Sequence, residues 1–425
     1  MPRPLRIGIV GLNYAPETIG IARYTTDMAI SLAQRGHEVN VVAGKPYYPA
    51  WRIADEWRGG GARRSHEDGV EITRCSHYVP ATPTGPRRIL HLLSFTLSAL
   101  APALRMARGK PDVVICVVPA LLSVPAAWLA ARLGKGRLWI HVQDFEVEAS
   151  FATGLVSPHG LLGMVARRLE NRLLALADVV SSISPQMCAR AALKGIAPER
   201  IVEIRNWTDV DTRFTTPEDS PLRRAWALGD RKVCLYSGNI ANKQGIEILI
   251  EVARLLHRRR DIAFVICGQG PNRARLETLA QGLDNIQFHD LQPMEAMGAL
   301  LGLANVHLLP QIPGAADLVL PSKLTNMLAS GRPVVATAET GTGLWEEVDG
   351  CGLCVMPGDA AAMAAAIERL IDQPDLAASL GQQGKARASE RWSRSRMIDR
   401  LEAHLRDQAG HSQTQDRAMT ASFTP

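Results

Sequence analysis

Three glycine turns, one lysine-bearing helix start and one histidine are the places in this chain where residue type and spacing suit chemistry on an anionic ligand. The first turn is Gly11-Leu12-Asn13-Tyr14-Ala15-Pro16-Glu17-Thr18-Ile19-Gly20, between the apolar run RIGIVG and a helical pattern. Gly20 just before a helix lets backbone approach a ligand, and a helix N-terminus favours negative charge. The spacing is not the GxGxxG dinucleotide fingerprint, because Gly8 and Gly11 lie too early. The second turn, Tyr236-Ser237-Gly238-Asn239-Ile240-Ala241-Asn242-Lys243-Gln244-Gly245, has the same strand, loop and helix setting and adds a lysine. A leaving diphosphate needs backbone N–H donors and a cation, and this loop offers both. The third, Cys267-Gly268-Gln269-Gly270-Pro271, is a turn against which a base or ribose can lie.

The densest segment runs from Gly314 through Asp317, Pro321, Ser322, Lys323 and Asn326 to Val335. Ser322 has the chemistry of an N-cap, and Lys323 falls in the first helical turn. A lysine there opposes the helix dipole, a local violation that points to an anionic ligand rather than to stability. Asn326 lies one turn on from Ser322 and shares its face. His141 ends the apolar run RLWIHV, where it faces either a ligand or the core. No second cysteine pair or nearby histidine completes a zinc site around the CxxC of Cys351 and Cys354.

These residues need strands to carry them, and the chain supplies two series of them. Apolar runs alternate with helical patterns almost throughout, which predicts parallel α/β layers. The first series holds RIGIVGL, GHEVNVVAG, EITRC, DVVICVV, RLWIHV, DVVSSIS and IVEIRN. The second holds KVCLYSG, AFVICG, NIQFHD, HLLP, PVVAT and GLCVM. At 425 residues the chain exceeds one core. We expect domains at 1–207 and 208–390, a C-terminal helix at 391–406 returning to the first domain, and a disordered tail over 407–425. The uncharged run Val113–Ala131 approaches a membrane span in length. Pro119 and Pro125 divide it, and it reads as a buried strand and its helix.

Aromatic residues make up only 5% of the chain, which leaves little for base stacking and argues against nucleic acid despite a net charge of +6. Between Arg52 and Lys110 ten Lys/Arg face five Asp/Glu. A basic region attracts anionic lipid or a pyrophosphate. The amphipathic run Arg87 to Phe95 within it suits either a membrane surface or a core helix. Scattered cysteines in apolar runs and an N-terminal strand in place of a signal peptide point to a cytoplasmic protein.

Together the motifs resemble the GT-B family of retaining glycosyltransferases of the group 1, or family 4, type. NYAPETIGIARYTTDMAISLAQRGHEV, SISPQM, RNWTDVDTRF, YSGNIANKQG, CGQGP and LASGRPVVAT stand in that family's order. HVQDFEVEA, KPYYPAW, GAAD and PSKLTNMLA are most similar to the colanic-acid fucosyltransferase type. The resemblance implies two Rossmann-like domains facing across a cleft. It implies transfer of a sugar from a GDP- or UDP-linked donor to a saccharide acceptor, with no metal or other cofactor. The donor would bind mainly the second domain and the acceptor, carried on a polyprenyl diphosphate at the inner membrane surface, the first.

By position, Gly20 lies near the donor phosphates and His141 faces the donor sugar. Lys243 or Gln244 falls at the phosphate-binding lysine, and Gly268 to Gly270 hold the base side. Two departures stand out. Asn239 replaces the family's arginine, and the usual glutamate pair falls at Leu318, with Asp317 beside it, and at Asn326. Lys323 then becomes a candidate to take over stabilisation of the leaving group. Two other readings remain: a silent partner subunit of a glycosyltransferase complex, and a nucleotide-sugar epimerase, for which no acid–base carboxylates are located.

Overall fold

Apolar runs with no polar interruption form inner strands of each sheet, since a parallel strand is covered on both faces. Val113–Val118 and Ile262–Cys267 show this most plainly, with every residue buried. The computed structural model describes residues 3–17, 20–82, 84–148, 160–208, 213–240, 244–312 and 322–421, with side chains at 322 and 411–421 excepted. The chain divides into two compact units, Met1–Arg205 with Ile398–Pro425, and Asn206–Met397.

The first unit holds an eight-stranded sheet in the order β3-β4-β2-β1-β5-β6-β7-β8. The strands are β1 (Arg6–Gly11), β2 (Glu38–Gly44), β3 (Arg63–Glu67), β4 (Val70–Cys75), β5 (Val113–Val118), β6 (Arg137–Val142), β7 (Val179–Ser182) and β8 (Ile201–Glu203). All pairs are parallel except β3 with β4. The sequence reading missed β3, whose RRSHE is polar and sits at the sheet edge. Its signal is the two-residue Asp68-Gly69 turn, both residues at positive φ, a pattern that favours hairpins.

Around this sheet lie α1 (Ile21–Gln34), α2 (Gly85–Arg108), α3 (Val124–Gly134), α4 (Leu161–Ala175) and α5 (Pro185–Leu193). Phe95, Ala99 and Ala103 of α2, Ala127 and Ala130 of α3, and Leu173 and Leu174 of α4 share one core cluster with Cys116 and Ile140 of the sheet. The helices α2 to α4 therefore form one layer. Its outer side exposes Ile89, Leu90, Leu93 and Leu97 of α2, and Leu161, Leu162, Val165 and Leu169 of α4. The run Val113–Ala131 is a buried strand followed by a short 3-10 turn and α3.

The second unit holds a six-stranded parallel sheet in the order β11-β10-β9-β12-β13-β14. These are β9 (Lys232–Ser237), β10 (Ile262–Cys267), β11 (Ile286–His289), β12 (Val306–Leu309), β13 (Val334–Thr337) and β14 (Gly352–Val355). Its helices are α6 (Pro221–Ala225), α7 (Glu247–Leu255), α8 (Arg273–Leu279), α9 (Met297–Gly302), α10 (Ser322–Ala329), α11 (Gly343–Val348), α12 (Ala360–Asp372) and α13 (Pro374–Trp392). Capping fixes several starts: the Asp359 carboxylate accepts from Ala362 N at 2.8 Å to open α12.

The last helix, α14 (Arg394–Ala421), corrects the sequence reading of a disordered tail from Asp407: the backbone stays helical to Ala421. The apolar stripe of Met397, Ile398, Leu401, Leu405 and Ala409 ends there, and the polar sequence beyond gives nothing from which the continuation could be read. From Ile398 onward it belongs to the first unit. Glu402 is the clasp, accepting from Arg35 Nη1 at 2.8 Å and Arg406 Nη2 at 2.7 Å, with His37 Nε2 3.3 Å away. Burial pushes the Glu402 carboxyl up, but its hydrogen bonds from Arg35 and Arg406 prevail and hold it down at about 2.

Candidate active site

In the second unit the loop after β9 and the loop after β10 are laced together by backbone. Gly238 N donates to Cys267 O at 2.9 Å, Ile240 N to Gln269 O at 2.9 Å, and Asn272 N to Ile240 O at 3.2 Å. A Cβ on Gly268 would lie 1.9 Å from Gly238 O, and one on Gly270 2.2 Å from Ile240 O. Glycine is therefore required at both positions for loop packing, whatever else the turn holds. The sequence reading saw the glycines and not this reason for them.

Lys323, in the first turn of α10, reaches back over the end of β9. Its Nζ donates to the Tyr236 hydroxyl at 2.6 Å and stands 4.2 Å from the centre of that ring. The phenol in turn donates to Asn239 O at 2.6 Å, and burial raises its pKa. The lysine stem crosses Gly238, where an added Cβ would sit 2.5 Å from Lys323 Cε. Ser237, Gly238, Asn239 and Lys323 thus converge on one strand end. Tyr236, which opens that turn in the sequence with no role assigned to it, is a partner that holds the cation.

The remaining expected donor residues fare differently. Lys243 and Asp317 lie outside the described residues, as does the Ser322 side chain, although Ser322 does begin α10. The Gln244 side-chain oxygen is buried with no hydrogen-bond partner. Asn326 Oδ1 accepts from the Thr208 hydroxyl, and Thr208 N donates to Trp392 O at 2.9 Å. Its carbonyl oxygen therefore carries a tether, which leaves one lone pair and the amide for a sugar hydroxyl.

In the first unit, β6 delivers His141 to a closed environment, with the side chain 3% exposed. Nδ1 is 2.8 Å from Ser181 Oγ, which also accepts from Trp139 Nε1 at 2.7 Å. Nε2 is 2.9 Å from Gln143 Nε2, an amide donor. The consistent assignment is a proton on Nδ1 and a lone pair on Nε2. Complete burial lowers the His141 pKa to about 4, so the ring is neutral at physiological pH. It cannot act as a cation, and Gln143 must give way before its Nε2 meets a sugar.

The loop after β1 is organised by Glu17, which the sequence reading did not single out. Its Oε1 accepts from Tyr47 N at 2.8 Å and Tyr48 N at 2.9 Å, and its Oε2 from Asn13 Nδ2 at 2.9 Å. One carboxylate thus joins the loops after β1 and β2. Gly20 takes φ 62°, ψ −133° ahead of α1, with nothing within 4 Å of where its Cβ would be. That backbone is glycine's, and the space beside it is open.

Known proteins place this arrangement in a family. Residues 20–207 match the glycosyl transferase 4-like domain, and residues 220–387 match glycosyl transferases group 1. WcaI of Escherichia coli (strain K12), provisionally named a colanic acid biosynthesis glycosyl transferase, is 41% identical over 381 residues, 87% of this chain and 93% of WcaI. The chain is a group 1 glycosyltransferase. The transferase is also 27% identical over 372 residues to a GDP-mannose-dependent alpha-mannosyltransferase of Mycolicibacterium smegmatis, covering 83% and 87% of the two chains. Among solved structures, HepE of Anabaena in complex with UDP superposes with a TM-score of 0.69 at 16% identity, covering 95% of the transferase and all of HepE. That likeness establishes the GT-B fold, two Rossmann-like α/β domains, for the transferase. The conjunction of Lys323 and Gly238 is then a feature of its second Rossmann-like domain.

Proposed function

We propose that the transferase moves a sugar from a nucleoside diphosphate donor to a saccharide of exopolysaccharide assembly, retaining the anomeric configuration and using no metal. The observation that carries this reading is the Lys323 ammonium, fixed by Tyr236 beside the bare backbone of Gly238. When the anomeric C–O bond breaks, its electron pair goes to the diphosphate, and a preset cation stabilises that developing charge without reorganising. The acceptor hydroxyl oxygen bonds to the anomeric carbon from the same face, and its proton passes to the departing diphosphate oxygen. Lys243 adds a second cation, and Gly20 lies near the phosphates. His141, neutral, positions the donor sugar through Nε2 and is no nucleophile.

The base is guanine or uracil: GDP-mannose-dependent relatives favour the first, and HepE with UDP the second. Fucose is the donor sugar that the motifs suggest, and the name of WcaI directs the acceptor towards colanic acid. The acceptor is lipid-linked, and the enzyme works in the cytoplasm on the inner face of the membrane. The exposed apolar stripes of α2 and α4 support this, interspersed with the exposed Arg87, Arg167 and Arg168. A second reading, a silent partner subunit, draws on the Asn326 carbonyl being tied to Thr208.

Melting of the purified protein with GDP, UDP, GDP-fucose and UDP-glucose, with and without EDTA, tests the proposal. One nucleotide should raise the midpoint, by linkage, equally in both conditions, and Lys323→Ala should abolish the shift. No shift with any nucleotide in a folded sample would favour the silent subunit.

A further inference from the structure

The loops gathered by Glu17 close one side of a cavity of about 210 Å³ in the first unit. It opens at the C-terminal ends of β1, β2, β5 and β6, the end of a parallel sheet where ligands bind. Asn13, Tyr47, Trp51, Arg88, His91 and Glu146 line it, drawn from three loops and the first turns of α2. The volume lies below the roughly 300–1,000 Å³ of drug-sized sites and suits one ring rather than a chain.

The lining has the chemistry of a sugar site. Tyr47, Trp51 and His91 form an edge-packed cluster with centroids 4.7 to 5.6 Å apart, an aromatic wall for the C–H face of a ring. His91 is 1% exposed, and its Nδ1 lies 2.5 Å from Tyr78 O, so Nδ1 carries the proton. Nε2 is then an acceptor, buried and without a hydrogen-bond partner. Burial lowers the pKa of this imidazole and keeps it neutral, suited to a hydroxyl donor. An orphaned buried acceptor costs free energy that a ligand hydroxyl recovers. Glu146 accepts from Leu121 N at 3.1 Å through Oε2, and burial pushes its carboxyl up.

Arg88 adds a demand for charge. It is exposed at this cavity and forms no salt bridge among the described residues. The acid nearest to hand in the cavity is Glu146, on which its charge acts, and burial pushes that carboxyl up towards the neutral form, in which it is no counter-charge.

We propose that this cavity seats the terminal hexose of the acceptor, and that this hexose bears an anionic group, carboxylate or phosphate, read by Arg88. Within this assignment, which rests on the transfer reading above, Asn13, Glu146 and His91 Nε2 bind hydroxyls. Arg88 discriminates against neutral sugars, and Glu17 positions the pocket without touching the ligand. A carboxylate would belong to a uronic acid, and a phosphate to the linkage of a lipid carrier.

The test is ligand-observed NMR titration of the full-length protein with glucose, glucuronate and glucose 1-phosphate, alongside nucleotide melting shifts. One of the two anionic sugars should bind at least about tenfold more tightly than glucose, the factor that 1.4 kcal/mol gives. Tighter glucuronate names the carboxylate, and tighter glucose 1-phosphate names the phosphate. Arg88→Gln should erase the preference while leaving glucose binding and the nucleotide shift intact. His91→Phe should weaken all three sugars and spare the nucleotide shift. Equal binding of all three sugars, no binding of any, or a preference that survives Arg88→Gln would overturn the assignment. A lost nucleotide shift with sugar binding intact would instead count against the transfer reading.

Discussion

Replacing Gly238 by alanine should injure the enzyme in two separable ways. The residue sits at φ 137°, in a region that side-chain-bearing residues rarely adopt, and such strain costs about 1–3 kcal/mol. The new Cβ would also stand 2.5 Å from Lys323 Cε and 2.8 Å from its Nζ. A lysine tip can swing away, but only by releasing the Tyr236 hydroxyl, a hydrogen bond to a charged group worth about 1.5–3 kcal/mol at most. The released ammonium can turn to water, so the net loss is smaller and we expect a total near 2 kcal/mol. For a unit the size of Asn206–Met397 this corresponds to a melting shift of about 4–8 °C. The activity loss should be larger. Moving a preset electrostatic group off the developing charge costs on the order of 10²-fold in turnover. Differential scanning calorimetry and donor turnover, run on Gly238→Ala, Lys323→Ala and the double variant, separate the terms. Lys323→Ala should match the activity loss with little thermal penalty, and the double variant should lose little further activity. The reasoning fails if Gly238→Ala melts like the wild type, or if its activity loss simply adds to that of Lys323→Ala.

Three buried imidazoles set a second expectation. Burial lowers His77 and His141 to about 4 and His307 to about 3, from an ordinary 6.5. The unfolded chain therefore binds more protons between those values, and stability is fully present above pH 6.5 and declines as pH falls towards 4. Melting temperature across that range should fall, and His141→Gln should flatten the slope; a flat wild-type profile would contradict it. Removing the Glu17 carboxylate orphans the Tyr47 and Tyr48 amides, so Glu17→Ala should cost about 2–4 kcal/mol by denaturant titration, with Glu17→Gln in between. Vesicles containing anionic lipid should retain the protein at low salt, and Arg167→Glu with Arg168→Glu should release it. Retention unaffected by salt or by those charges would rule out the electrostatic part of the membrane contact.

Local pattern carried much of the architecture. Uninterrupted apolar runs such as VVICVV and IAFVIC mark strands covered on both faces, and the glycines after β1, β9 and β10 mark their carboxyl ends. The edge strand RRSHE lacked that pattern, and the end of α14 lacked an apolar stripe. The candidate site was most legible where a residue's type violates local preference, as Lys323 does at a helix start. Glu17, Tyr236 and Glu146 look ordinary in sequence, because what defines them is a partner 30, 87 or 25 residues away. Asn326 was legible as a polar residue facing the right way, but its bond to Thr208 spans 118 residues, which no window along the chain can see.

The clasp at Glu402 has a bearing on the order of synthesis. Arg3, Arg35 and His37 emerge from the ribosome among the first residues, yet Arg406 and Glu402 that meet them come some 360 or more residues later. The first sheet must therefore wait, with the Arg3 carbonyl and the side chains of Arg35 and His37 uncovered, while all of Asn206–Met397 is translated. A ribosome stalled or a gene cut before Ile398 would deliver a complete second unit and an unfinished first one. The two halves of this enzyme are accordingly not two interchangeable cassettes: any chimaera that exchanges the second unit must carry the first unit's own final helix across the junction.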